Sequence, residues 1–205
     1  LREQDAFIKQ LVTLEAKEVV DLENITQIKY ETPDKLAQNL ASAIRRDPDV
    51  IMIDQCSDAA SAELIWGASA KKFILLGMPA SETFSALAKW LTLCGGKVDA
   101  IQNLRGLSCQ MLVRKLCPEC REAYKPDPLQ LAKANIPAEE VDVFYRPTGK
   151  ITNEKGKSFP CHNCQGSGYF GRMAVFELLE FNNELKKLVM SGASMTKVKS
   201  AARKN

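Results

Sequence analysis

Two Cys-x-x-Cys steps, Cys117/Cys120 and Cys161/Cys164, stand 40 residues apart and are flanked by Pro118, Pro160, Gly166 and Gly168. Each step sets two sulfurs on one tight turn whose amides favour thiolates. Two such turns face to face supply four ligands at the ~2.3 Å Zn–S distance of tetrahedral zinc. A closed four-sulfur set leaves no position for water, so the expected Zn²⁺ staples structure and does not catalyse. The alternative is four free, incidentally buried cysteines. His162, between two proposed ligands, reads as an exposed bystander. Cys56, Cys94 and Cys109 lie in helical or strand-end contexts and read as small hydrophobes. The spacing is longer than that of a usual zinc ribbon, which argues against nucleic acid as the partner. A second chemistry is suggested where the apolar run Val50 to Ile53 ends in Asp54-Gln55. Phosphate-binding α/β proteins place there the acid that holds Mg²⁺ or orients water. An acid in that place also caps a following helix, and the residues alone leave both roles open.

The elements positioning these groups follow from hydrophobic periodicity. Glu18–Glu23 and Gln27–Tyr30 read as short strands. Pro33–Arg46 repeats Leu36, Leu40, Ala43 and Ile44 at helical spacing. Val50–Ile53 and Phe73–Leu76 are apolar runs of the kind buried on both faces, and they bracket an alanine-rich helix capped by Ser57 or Asp58. Residues 50–76 are therefore expected to form a parallel strand–helix–strand unit, with Asp54-Gln55 at the carboxyl edge where such sheets bind ligands. Ser81 is placed to cap a helix carrying Phe84, Leu87, Ala88 and Leu91, ended by Gly95-Gly96, and residues 101–116 read as helical. Composition becomes proline-rich and loop-like from Cys117 to about residue 170. Arg172–Glu180 then reads as a strand and Asn183–Met190 as a helix stopped by Gly192, with Ser194 placed to cap a short last helix. The expected domains are 1–116, an α/β core; 117–170, the tetracysteine insert; and 171–205, a strand and helices.

Over 205 residues, 45% are hydrophobic and 26% charged, an ordinary globular composition. No apolar run approaches the roughly 18–20 residues that span a bilayer, and the opening LREQDAFIKQ is too polar for a secretory signal. A cytoplasmic, non-spanning protein is expected, at most peripheral at the inner membrane. With 28 Lys and Arg against 25 Asp and Glu, the +3 balance is too small to make nucleic acid or an anionic membrane the main partner. An odd cysteine count of seven fits a reducing compartment.

Three stretches, in order, resemble the C-terminal half of the secretion ATPases that power type II secretion and type IV pilus assembly. IRRDPDVIMIDQCSD (Ile44 to Asp58) is similar to that family's Walker B region, roughly LRxDPDhhhhGEIRD. LVRKLCPEC (Leu112 to Cys120) and CHNCQGSGYFGRMAVFELL (Cys161 to Leu179) are similar to its four-cysteine zinc insert and the GYxGRxGhhEhh strand after it. LKKLVMSGAS (Leu185 to Ser194) is similar to its closing helix and turn. The resemblance implies a partial RecA-like parallel sheet with a four-cysteine zinc insert and C-terminal helices. It further implies a hexameric ring, homomeric or mixed, with ATP and Mg²⁺ lodged between subunits. Secretion or pilus assembly proteins at the inner membrane would be its partners.

Departures accompany the match. Asp54-Gln55-Cys56-Ser57-Asp58 stands where the family has Gly-Glu-Ile-Arg-Asp, so Asp54 recovers an ordinary Walker B aspartate while the water-activating carboxylate becomes the amide of Gln55, which cannot take a proton. AKKFILLGMPAS (Ala70 to Ser81) aligns with the family's histidine box and puts Lys72 and Pro79 at the histidine positions, and Met111 stands where an arginine is expected. No G-x-x-x-x-G-K-[ST] loop occurs in residues 1–205, so a phosphate cradle is expected upstream or not at all. Asp54 and Gln55 are the candidate nucleotide-contacting residues, with no catalytic residue assigned. Arg45, Arg46, Arg105 and Arg114 read as solvated helix-face charges. Three functions follow: a non-hydrolysing domain of a secretion or pilus motor, a fragment of an active hexameric ATPase, or a zinc-stapled interaction module without nucleotide.

Overall fold

The computed structural model describes residues 1, 3–137, 139 and 141–203. The chain divides into two compact units: Leu1–Cys109 with Glu177–Asn205, and Gln110–Phe176. The second is thus inserted in sequence within the first.

The first unit is built on four parallel strands in the order β2-β1-β3-β4: β1 Leu11–Glu15, β2 Thr26–Lys29, β3 Val50–Ile53 and β4 Phe73–Leu76. Register aligns Leu14 with Ile53 and Ile53 with Leu76, so the strands end together at one carboxyl edge. The two inner strands bury Leu11, Val12, Leu14, Val50, Ile51 and Ile53 almost completely. Each such side chain contributes about 1.5–3 kcal/mol of hydrophobic stabilisation. Helix α1, Pro33–Arg45, presents Leu36, Leu40 and Ala43 to the core. Helix α2, Ala59–Ala68, is capped by Asp58, whose carboxylate accepts from the Ser61 amide at 2.7 Å. Helix α3, Thr83–Leu93, ends at Gly95-Gly96, both with positive φ. Leu179, Phe181, Leu185, Val189 and Val198 complete the same core from the far end of the chain.

The expected unit of residues 50–76 is present, with Ile51 and Leu75 on adjacent parallel strands. Three expectations are corrected. Glu18–Glu23 is irregular, and the strand beside β3 is Leu11–Glu15 instead. EVVDLE carries three acids, and Val19 and Val20 are exposed, whereas LVTLE can be buried on both faces. Residues 101–116 are not helical: a 3₁₀ turn at Val98–Ile101 leads into β5, Gly106–Leu116. Pairing with β10, Tyr169–Glu180, overrides the local helical spacing. Strand β4 is only half-buried, because it is the sheet's edge, with Phe73 44% exposed.

The second unit contains the antiparallel pair β6 (Arg121–Tyr124) and β7 (Phe144–Pro147), helix α4 (Pro128–Lys133), and the antiparallel pair β8 (Lys150–Thr152) and β9 (Ser158–Pro160). Arg121 stacks on Tyr145 at 4.3 Å, and Tyr124 meets Phe144 edge-on. Helices α5 (Asn183–Met190) and α6 (Met195–Ala202) close the chain in the first unit. Among the described residues, no helix is long and apolar enough to cross a membrane.

Candidate functional site

The four cysteines of the paired steps converge. Cys117, Cys120, Cys161 and Cys164 are all buried, and their sulfurs lie within 4.8 Å of one another. Cys117 Sγ is 3.8 Å from Cys161 Sγ, and Cys120 Sγ is 3.6 Å from Cys164 Sγ. A tetrahedron with ~2.3 Å metal–sulfur bonds has sulfur–sulfur edges of roughly 3.8 Å. The spacing and the all-thiol donor set therefore fit a tetrahedral, thiophilic cation.

The surrounding backbone holds this geometry. The Cys117 amide donates to the Gly168 carbonyl at 3.0 Å, and the Cys161 amide to the Gly149 carbonyl at 2.9 Å. Gly149 has a φ of 70°, and a Cβ there would lie 2.1 Å from the Gly166 carbonyl oxygen, so the approach of the two turns requires glycine. The Gly168 amide donates to Cys164 Sγ at 3.2 Å, and the Asn163 side chain donates to Cys117 Sγ at 3.5 Å. Burial pushes the Cys120 thiol above its ordinary range. Burial is the largest influence on the Cys164 thiol and opposes its thiolate, but hydrogen bonds from the Gly168 amide, Cys120, Cys161 and the Gly166 amide together outweigh it and hold that thiol below the usual range. Four thiolates this close repel one another unless a cation sits among them. His162 is exposed and outside the cluster. Cys56 and Cys94 are packed in the first unit's core, and burial raises Cys56 to about 11, as for an inert thiol.

At the sheet's carboxyl edge, Asp54 and Gln55 follow β3. Both oxygens of Asp54 are engaged: one accepts from the Tyr30 hydroxyl, the other from the Ala16 amide at 2.7 Å. Gln55 is exposed. Of the other first-unit positions singled out by sequence, Lys72 lies away from this edge, while Pro79 follows the strand end on its side. Lys72 precedes β4, at the opposite end of the sheet, and is ion-paired with Asp47. Pro79 is exposed beyond the end of β4. Met111 is exposed on β5 within the second unit.

Sequence reasoning missed Tyr30 and Glu177. The Glu177 carboxylate accepts from both the amide and the hydroxyl of Thr83, each at 2.9 Å, and so caps α3, whose N-cap residue Glu82 makes no side-chain cap. The acid Glu177, interrupting the apolar residues of RMAVFELLE, was the available signal. Glu177→Ala is expected to lower stability by about 1–2 kcal/mol, the usual range for a lost cap, with Glu177→Gln retaining part of it. Thermal unfolding of the two variants checks this.

A parallel sheet with an acid closing an inner strand, followed by a four-cysteine insert and terminal helices, defines a partial RecA-like α/β domain. The family model described as "Type II/IV secretion system protein" matches residues 5–205, and the chain belongs to that family. It is 29% identical over 196 residues to the type II secretion system ATPase E of Vibrio cholerae, covering 94% of this chain and 37% of that protein. It is 27% identical over 184 residues to the type IV pilus assembly ATPase PilB of Thermus thermophilus, covering 88% of this chain and 20% of that protein. The chain thus spans well under half the length of these relatives. Its fold matches the Yersinia pseudotuberculosis ATPase DotB with a TM-score of 0.58 at 18% identity, over 96% of this chain and 42% of that one.

Proposed function

We propose that this chain is a non-hydrolysing secretion-ATPase-like domain, a structural or regulatory part of a type II secretion or type IV pilus assembly motor. Its insert, residues 117–170, is stapled by one Zn²⁺ on Cys117, Cys120, Cys161 and Cys164. The observation that carries the first part is the chemistry of the sheet's carboxyl edge. There the exposed side chain after Asp54 is the amide Gln55, and neither Lys72 nor Pro79 brings an imidazole to it. A group that orients water without accepting its proton forfeits general-base catalysis. Each missing charge-stabilising donor commonly costs about 10²–10³ in rate. Assembly with copies of itself or of an active relative, at the cytoplasmic face of the inner membrane, follows the family. Asp54 and Gln55 remain the residues nearest any nucleotide that a longer chain or ring would bring.

Zinc-replete protein of native length is expected to turn over no ATP above background, and Gln55→Glu is expected not to restore strong activity. Turnover at the rate of active secretion motors, abolished by Asp54→Ala, overturns the proposal. The second reading, a portion of an active hexameric ATPase with its phosphate loop upstream, is favoured by the 20–37% share of the relatives that the chain spans. It predicts that same turnover.

A further inference from the structure

Tyr30 and Asp54 are 24 residues apart in sequence, and both stand just past strand ends. Tyr30 follows β2, Ala16 follows β1 and Asp54 follows β3. The Tyr30 ring is 6% exposed, and its hydroxyl donates to Asp54 Oδ1, with the Gln55 carbonyl 3.4 Å away. Asp54 Oδ2 accepts from the Ala16 amide at 2.7 Å, and the Asp54 amide donates to the Leu14 carbonyl at 3.0 Å. From the other side, the Tyr30 amide donates to the Glu15 carbonyl at 3.1 Å. One carboxylate therefore receives a donor from each of two neighbouring strand ends while its own strand stays in the ladder.

We propose that Tyr30, Asp54 and the Ala16 amide form a clamp that fastens the carboxyl ends of β2, β1 and β3 and, by taking one lone pair of each Asp54 oxygen, makes that carboxylate a poor cation ligand. An ionised carboxylate is acceptor-only, and charge-assisted donors bind it about twice as strongly as neutral pairs do. A divalent cation needs an oxygen at ~2.0–2.1 Å for Mg²⁺, and along the lone pair that the Tyr30 hydroxyl holds it must displace that donor. The hydroxyl is a durable donor, since burial and then the facing carboxylate raise its ionisation well above the ordinary tyrosine range. The clamp deepens, and rests on, the reading of this edge as non-hydrolysing. Tyr30 is a positioning residue here, acting through Asp54.

The test reads folding and not turnover, so it can fail independently of the ATPase assay. In the 205-residue chain, Tyr30→Phe and Asp54→Ala should each lower the thermal midpoint by several degrees. The double variant should fall no further than the worse single, because both remove the same interaction. If Asp54→Ala does not fold, Asp54→Asn closes the cycle. Millimolar Mn²⁺, used alone as the probe, should leave the wild-type midpoint unchanged. An additive double variant, an unshifted Tyr30→Phe, or a wild-type midpoint raised by Mn²⁺ and not in the Asp54 variant would each overturn the clamp.

Discussion

Cys161→Ser is expected to lose the zinc proposed for the four sulfurs and to loosen residues 110–176 while the four-stranded sheet stays folded. The reason lies in what the second unit has for a core. Its buried cluster is the four sulfurs themselves, whereas the first unit packs strands, helices and the terminal residues into an extended apolar core. Structural zinc contributes about 10–16 kcal/mol of apparent binding free energy at neutral pH in small metal-folded units. Unfolding free energies of whole domains run only to about 5–15 kcal/mol. Removing one ligand leaves three thiols whose mutual crowding is no longer offset. Metal analysis of protein purified without chelators should give one zinc per wild-type chain and far less for the variant. Limited proteolysis should then cut the variant first between Cys120 and Cys161. A wild-type chain with well under one zinc, or a variant as resistant to protease as wild type, would remove the idea.

Gly77→Ala should be the most damaging single-methyl change in the first unit. A Cβ at this position would lie 1.9 Å from the Asp54 carbonyl oxygen, and that oxygen belongs to backbone with no rotamer to yield. The two segments are fastened together, since the Gly77 amide donates to the Ile53 carbonyl at 2.8 Å and the Cys56 amide to the Gly77 carbonyl at 3.2 Å. Overpacking of this kind costs typically about 1–3 kcal/mol, and the fixed contact on backbone places this case at or above the upper end. At roughly 2–4 °C per kcal/mol for a domain of this size, the midpoint should drop by about 10 °C. Calorimetry on the two proteins decides it. A drop below about 2 °C would show that β3 and β4 separate easily at this end, contrary to the hydrogen bonds that join them.

What the sequence made legible was short-range or chemically unusual. The β3–α2–β4 unit could be read because two apolar runs bracket one helix, and the sulfur cluster because four thiols at doubled spacing have few other uses. β1 was passed over because its apolar stretch Leu11–Leu14 is brief and follows a polar opening, while EVVDLE offers a similar run nearby. β5 was read as helix because its conformation is decided by β10, more than 50 residues later, and not by its own residues. The Tyr30–Asp54 and Thr83–Glu177 contacts span 24 and 94 residues, and no local pattern encodes a partner at that range. The site's elements were thus readable, while the contacts that tie its polar groups depend on topology.

The core of the first unit draws on both ends of the chain, from Val12 to Val198. During synthesis this imposes a schedule. Strand β1 leaves the ribosome before β3, with which it pairs on one side, and Leu179, Phe181, Leu185 and Val198 are made only after the whole of Gln110–Phe176. At about 5–20 residues per second, the intervening unit is complete about 1–4 s before the core that encloses it in sequence can close. If the sulfurs hold the zinc proposed for them, its capture can therefore come first and final packing last. Through that interval the nascent sheet is expected to stay open to chaperones and proteases, and on the zinc proposal the metal present during translation would bear on how much of the chain survives to finish folding.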